Sequence, residues 1–83
     1  MITEKIFLKT LDDVKGFVSL AMTKNYDIEL KLGKYVVNAK SIMGVFSLDL
    51  TCPLTVVANT DDDNNFLNEI ERYIYVEEEI PAK

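Results

Sequence analysis

A pair of adjacent strands is the feature that most constrains the fold of this chain. Residues 27–32 (DIELKL) alternate strictly between polar and apolar side chains, and residues 35–39 (YVVNA) follow after Gly33-Lys34. Alternation with a period of two is typical of a strand that buries one face, and a two-residue connection with glycine joins antiparallel strands. The sequence therefore predicts a β-hairpin whose apolar face needs a covering layer.

The remaining segments predict helices and strands that could supply that layer and complete the sheet. Residues 2–8 and 54–58 are rich in β-branched and apolar side chains and are predicted to be strands. Three helices are predicted: one after Thr10, one over residues 40–48 with Ser41 as its N-cap, and one opening at residues 60–63. The first helix has an apolar face formed by Leu11, Val14, Phe17, Val18, Ala21 and Met22, and the last by Phe66, Leu67, Ile70, Tyr73 and Ile74.

The order strand, helix, strand, strand, helix, strand, helix predicts an α/β (α+β) open-faced sandwich. In this fold class, a four-stranded antiparallel sheet is covered on one side by helices. We expect one domain over residues 1–75, and an acidic, loose C-terminal tail over residues 76–83. Gly16, inside the first helix, suggests close packing against the sheet.

Composition narrows the classes of function. A net charge of −5 argues against nucleic-acid binding, because such binding draws on basic patches that face phosphates. The apolar runs are far shorter than the roughly 20 residues that span a bilayer, and the first residues lack a signal-peptide pattern, so we expect a cytoplasmic protein. The single cysteine, Cys52, is expected to be half-buried. The run Asp61-Asp62-Asp63 lacks the glycine and distal glutamate of a calcium loop, so no metal or cofactor is predicted.

Residues 37–48 (VNAKSIMGVFSL) point to a particular protein family and not only to a fold class. They resemble the segment V-N-[AL]-K-S-I-M-G-[VL]-M-S-L around the regulatory serine of HPr proteins from low-GC Gram-positive bacteria. Residues 27–34 and 53–58 and the last helix follow at the spacing of that family. From about residue 27 to residue 74, the chain therefore resembles the HPr (histidine-containing phosphocarrier) family of the bacterial phosphotransferase system.

The start of the chain departs from the family pattern. HPr proteins carry G-x-H-A-R-P-A between the first strand and the first helix, where the histidine accepts and donates a phosphoryl group. The corresponding residues here are Lys9-Thr10-Leu11-Asp12-Asp13, and the sequence contains no histidine. We therefore expect no phosphohistidine transfer, no catalytic residue and no enzymatic activity. An aspartyl phosphate is not indicated either, because that chemistry usually needs a divalent cation and a basic partner.

Ser41 is the family residue that remains. The resemblance implies that it is a target of an HPr kinase/phosphorylase, whereas the alternative is that its hydroxyl only caps a short helix. The resemblance also implies a partner-binding face around it, formed by Lys40, Ile42, Met43, Gly44, Phe46 and Leu48. Ile42 and Leu48 could equally belong to the core, and Met43 is the best surface candidate.

Two functions follow as hypotheses. The first is a regulatory or adaptor protein of the sugar phosphotransferase system and of catabolite repression, binding phosphotransferase-system components, the HPr kinase/phosphorylase or a transcriptional regulator through the Ser41 face. The alternative is a protein-interaction or structural module that uses the fold without a role in that system.

Overall fold

A computed structural model of the 83-residue chain describes residues 1–61 and 63–75. The described elements are strands β1 to β4, helices α1 to α3 and a final 3₁₀ turn. In chain order they are β1 (Ile2–Ile6), α1 (Leu11–Met22), β2 (Ile28–Leu32), β3 (Tyr35–Asn38), α2 (Ile42–Phe46), β4 (Leu54–Ala58), α3 (Asp63–Glu69) and the 3₁₀ turn (Glu71–Tyr73). The predicted acidic tail, residues 76–83, lies outside the described residues.

The four strands form one antiparallel sheet in the order β1-β4-β2-β3. The hairpin between β2 and β3 turns at Gly33, whose φ of 60° lies in the region that glycine adopts without strain. One row across the sheet joins Val56, Leu30 and Val37, so apolar side chains share a face. The predicted open-faced sandwich is confirmed.

The core lies between this apolar face and the helices. Helix α1 contributes four buried residues, α2 contributes Val45, and the C-terminal segment contributes Phe66, Ile70 and Tyr73. Among the residues described, no charged or polar side chain is buried. A small domain needs most of its apolar residues for such a core.

The last helix is shorter than predicted. Helix α3 ends at Glu69, and Ile74 forms an isolated antiparallel bridge with Ile6 instead of a further helical turn. The backbone N–H of Phe7 donates to the carbonyl oxygen of Tyr73 at 2.8 Å, and the N–H of Tyr75 donates to the carbonyl oxygen of Lys5 at 2.8 Å. The edge of β1 thus satisfies backbone groups that a longer helix would have satisfied internally.

The apolar face of α1 is narrower than predicted. Leu11 and Met22 are 55% and 64% exposed, respectively, so the expectation that they face the core was wrong. They are the first and last residues of α1, where the helix face runs past the layer on which it packs. The other bounds, for β1, β2, β3, α2 and β4, differ from the predictions by no more than two residues at either end.

Candidate functional site

The start of α1 is closed by a reciprocal cap. The N–H of Asp13 donates to the Thr10 hydroxyl oxygen at 3.1 Å, and the Asp13 carboxylate accepts from the N–H of Lys9 at 3.0 Å. This arrangement is similar to a capping box, except that the returning carboxylate accepts from Lys9, the residue before the N-cap Thr10, and not from the N-cap itself. The first turn of α1 therefore supplies its own acceptors.

The same turn carries two negative charges. Asp12 and Asp13 both lie in the first turn of α1. A helix start normally attracts anions through its free N–H groups and the positive end of the helix dipole. Here carboxylates already take that position, and a phosphoryl group beside them would meet like charge.

The start of α2 is organised differently. Ser41 is the exposed N-cap of α2, and its hydroxyl oxygen accepts from the N–H of Gly44 at 3.2 Å. No acidic residue lies in the first turn of this helix. The predicted cap is thus present, and the Ser41 hydroxyl lies at the surface in a turn without negative side chains.

Two neighbours hold the Ser41 segment in place. The carbonyl oxygen of Asn38 accepts from the N–H of Ser41 at 3.0 Å, and the Asn38 side-chain oxygen accepts from the N–H of Lys40 at 2.9 Å. The Lys40 ammonium reaches back to the turn after α1 and donates to the carbonyl oxygen of Lys24 at 2.9 Å. Lys40 therefore fixes the segment before α2 to the turn after α1, a role that the sequence did not reveal.

An exposed apolar patch follows Ser41, and we call Ile42, Met43 and Phe46 the α2 patch. Their exposed fractions are 36%, 77% and 41%, respectively, so all three are available at the surface. Leu48 was grouped with them in the sequence, but it is only 8% exposed and belongs to the core cluster. Leu48 turns inward because the chain leaves α2 at Ser47 and runs on towards β4.

A groove joins the α2 patch to the start of α1. Its volume is about 250 Å³, and Leu11, Phe46 and Leu50 are among its lining residues. Leu11 is exposed and apolar, so it extends the apolar surface from Phe46, at the end of α2, to the start of α1. The sequence missed this contribution because Leu11 was assigned to the core face of α1.

The loop after α2 contributes Leu50 and Thr51 to the lining of the groove. The carboxylate of Asp49 accepts from the Thr51 hydroxyl at 2.6 Å and from the Thr51 N–H at 3.1 Å. These two hydrogen bonds, the hydroxyl first, lower the pKa of Asp49 below its ordinary value of 3.8. Cys52, half-buried as predicted, follows in the same turn.

Other kinds of site find no support in the described part of the chain. Within residues 1–61 and 63–75, no three acidic, histidine or cysteine side chains come together in a group that could hold a metal ion. Over the same residues, no helix combines the length and apolar character needed to cross a membrane. The run at residues 61–63 lies partly outside the described residues, and the acidic run at residues 77–79 lies wholly outside them.

Fold and site together define a small antiparallel open-faced sandwich with two helix starts and an apolar groove at one surface. The family model described as "PTS HPr component phosphorylation site" matches residues 14–75. The chain belongs to the HPr family of the phosphotransferase system. The match begins at residue 14, after the segment 9–13 that departs from the family pattern.

Solved structures agree with this assignment. HPr-C-His from Thermoanaerobacter tengcongensis is similar at 26% identity and a TM-score of 0.74, with 89% of this chain and 91% of that chain covered. The phosphocarrier protein HPr from Bacillus anthracis str. Ames shares the fold at 23% identity and a TM-score of 0.68, with 89% and 96% covered. No curated protein sequence matches the chain closely enough to be counted as a relative.

Proposed function

We propose that this protein is a regulatory or adaptor member of the HPr family that acts through the Ser41 face and does not carry phosphohistidine. The observation that carries this proposal is the contrast between the two helix starts. The start of α1 holds its own carboxylates, whereas the start of α2 presents an exposed serine without acidic neighbours in its first turn.

Phosphohistidine transfer requires a histidine, and the sequence has none. The segment that replaces the family's phosphorylation loop uses Thr10 and Asp13 to cap α1. The backbone N–H of Asp13 therefore already donates to a protein oxygen. Phosphoryl carriage at this position would need both a new acceptor side chain and the removal of negative charge.

Phosphorylation of Ser41 is compatible with the local structure. The hydroxyl is at the surface and accepts from the N–H of Gly44, and the first turn of α2 carries no carboxylate. A phosphate at a helix start gains charge-assisted hydrogen bonds and a favourable dipole interaction, so the modification would add charge without unfolding the domain. The kinase proposed for this step is an HPr kinase/phosphorylase, by resemblance to the family.

The partners proposed are other proteins of the same regulatory system. HPr proteins interact with phosphotransferase-system proteins, and the α2 patch offers this chain an apolar surface beside Ser41. Methionine suits an adaptable docking surface because its side chain is flexible and polarisable. Lys40 and Gly44 take part mainly by shaping the segment, since each is engaged in hydrogen bonds within the fold.

A second candidate function is that of a protein-interaction or structural module that has no role in sugar transport. The rewritten segment before α1 favours it, because the family match starts only at residue 14. In that case, Ser41 serves as a helix cap and nothing more, an effect worth about 1 kcal/mol.

Phosphorylation by a purified HPr kinase separates the two candidates. With ATP, the kinase should add one phosphoryl group to the wild type and none to Ser41→Ala. Ser47→Ala is the matched control, because Ser47 is an exposed serine at the other end of the same helix and should not affect the reaction. If the kinase modifies a standard HPr in the same tube and leaves this protein unmodified, the regulatory proposal is wrong.

A further inference from the structure

Strand β3 forms one edge of the sheet, and no strand among the described residues pairs with its outer side. In the sheet order β1-β4-β2-β3, no strand lies beyond β3 among residues 1–61 and 63–75. Two large side chains on this edge, Tyr35 and Val36, are 62% and 51% exposed. Tyr75, the last of the described residues, is hydrogen-bonded to Lys5 in β1, the opposite edge of the sheet. Exposed edges with apolar side chains are templates for pairing with another strand.

The hydrogen-bond register shows which backbone groups face outward. The N–H of Ala39 donates to the carbonyl oxygen of Ile28 at 2.9 Å. Since bonded and non-bonded pairs alternate in an antiparallel ladder, Val37 and Tyr35 also direct their backbone groups towards β2. Val36 and Asn38 therefore direct their backbone groups away from β2, and the carbonyl oxygen of Asn38 already accepts from the N–H of Ser41.

This edge is complementary to itself. If two copies pair antiparallel about Val36, Val36 faces Val36 of the second copy, and Tyr35 faces Val37 of the second copy. The faces then agree, because Tyr35 and Val37 both lie on the helix side of the sheet, whereas Val36 lies on the open side. Each Val36 donates to and accepts from the other, so the outward backbone groups of Val36 are satisfied.

Grooves on the two sides of β3 match the side chains that this register brings to them. On the open side, a groove of about 320 Å³ has the acidic residues Asp27 and Glu29, together with Asn38, among its lining residues. The register places Lys34 of the second copy opposite Asn38, where its ammonium meets those carboxylates. On the helix side, a groove of about 300 Å³ lined by Leu32, Val37 and Leu48 lies beside the position of Tyr35 of the second copy.

We propose that β3 is a self-association edge through which two copies of this chain join their sheets, antiparallel about Val36. The partner is a second copy because the edge supplies both a cation, Lys34, and an acidic groove. The two-fold register places Lys34 of each copy next to the acidic groove of the other. The proposal does not rest on the function proposed for Ser41. Small interfaces of this kind are weak and concentration-dependent.

Sedimentation equilibrium of the full chain tests the proposal directly. The wild type should shift from monomer to dimer as the concentration rises from about 10 µM to about 1 mM. Val36→Lys should weaken the dimer at least about tenfold, because it sets two ammonium groups face to face. Met22→Lys, which also adds a lysine at an exposed apolar position but on α1, should leave the dimer unchanged.

Exchanging the two charges tests the register, and this test remains valid even if the Val36→Lys variant does not fold. Lys34→Glu and Glu29→Lys should each weaken the dimer, and the double variant should restore it, because the pair meets again with reversed signs. A wild type that stays monomeric to about 1 mM overturns the proposal. So does a dimer that the single charge variants leave unchanged. If β3 amide resonances of a monomer shift only on addition of a different protein, the occupant is another partner and the second-copy proposal is wrong.

Discussion

Gly16 of α1 and Tyr73 of the 3₁₀ turn pack so closely that a Cβ atom at Gly16 would lie 2.5 Å from the Tyr73 hydroxyl oxygen. Tyr73 is buried, and its ring meets Phe17 edge to face with 5.7 Å between centroids. The missing side chain at Gly16 thus lets the C-terminal turn cross α1. The sequence predicted close packing of Gly16 against the sheet, but the contact is with this turn.

Gly16→Ala should destabilise the fold by about 1–3 kcal/mol. Alanine gains up to about 1 kcal/mol in helix propensity, but the new methyl group overlaps the hydroxyl oxygen of Tyr73 and forces that side chain to move. Chemical denaturation of the wild type and the variant measures the difference in the free energy of unfolding.

The control for this prediction removes the Tyr73 hydroxyl. In a Tyr73→Phe background, the nearest remaining atom to the new Cβ is the ring carbon Cζ at 3.7 Å, an ordinary contact. Gly16→Ala should therefore become neutral or stabilising there. If it destabilises both backgrounds equally, the proposed clash is not the cause.

Thr10→Ala should lower the free energy of unfolding by about 1 kcal/mol, because it removes the acceptor for the N–H of Asp13 at the start of α1. Ser19→Ala is the matched control: Ser19 is exposed within α1 and makes no cap, so alanine should stabilise the helix slightly. Equal effects of the two substitutions would show that the Thr10 cap does not contribute.

Met43→Asp should reduce Ser41 phosphorylation by a purified HPr kinase at least about tenfold, without lowering the melting temperature. Met43 is 77% exposed, so a charge there disturbs docking and not the core. Met22→Asp, at a 64% exposed position on α1, should leave the rate unchanged. A large loss of stability in Met43→Asp would contradict the surface role of Met43.

Thr51→Val should raise the pKa of Asp49 towards its ordinary value of 3.8, because the Thr51 hydroxyl is the largest cause of its lowering. In the wild type, the folded-state pKa lies below the unfolded value. The stability that this hydrogen bond contributes is therefore fully present above the unfolded-state pKa and is lost as the pH falls through the folded-state pKa.

Titration of the Asp49 carboxyl by NMR measures the shift. Denaturation at several pH values should show the wild type and Thr51→Val converging as the pH falls below 3.8. Thr51→Ser keeps the hydroxyl and should retain the lowered pKa. A stability difference that widens on acidification would contradict the assignment.

Local patterns predicted most of the sheet and the Ser41 cap. The alternation in residues 27–32 and the hydroxyl at Ser41 act within a few residues of themselves, and both predictions hold in the structure. The end of α3 could not be predicted in this way. Tyr73 and Ile74 continue the helical spacing of apolar residues. In the structure, however, they pair with the end of β1, which is far away in the sequence.

The residues that line the groove between α1 and α2 could not be predicted from the sequence, for the same reason. Leu11 and Phe46 belong to different helices, and only the packing of α1 beside α2 shows that both line one groove. Leu48, by contrast, has an apolar side chain that fits either a core or a docking surface, and the sequence alone could not decide between them. The structure places it in the core.

Intact-mass analysis in two parallel reactions tests the central claim most directly. One tube holds the protein with phosphoenolpyruvate and enzyme I, and the other holds it with ATP and HPr kinase, each with a standard HPr as an internal control. We predict an unchanged mass in the first tube and one added phosphoryl group in the second, lost on Ser41→Ala. A phosphoryl group acquired from enzyme I in the first tube would contradict the account.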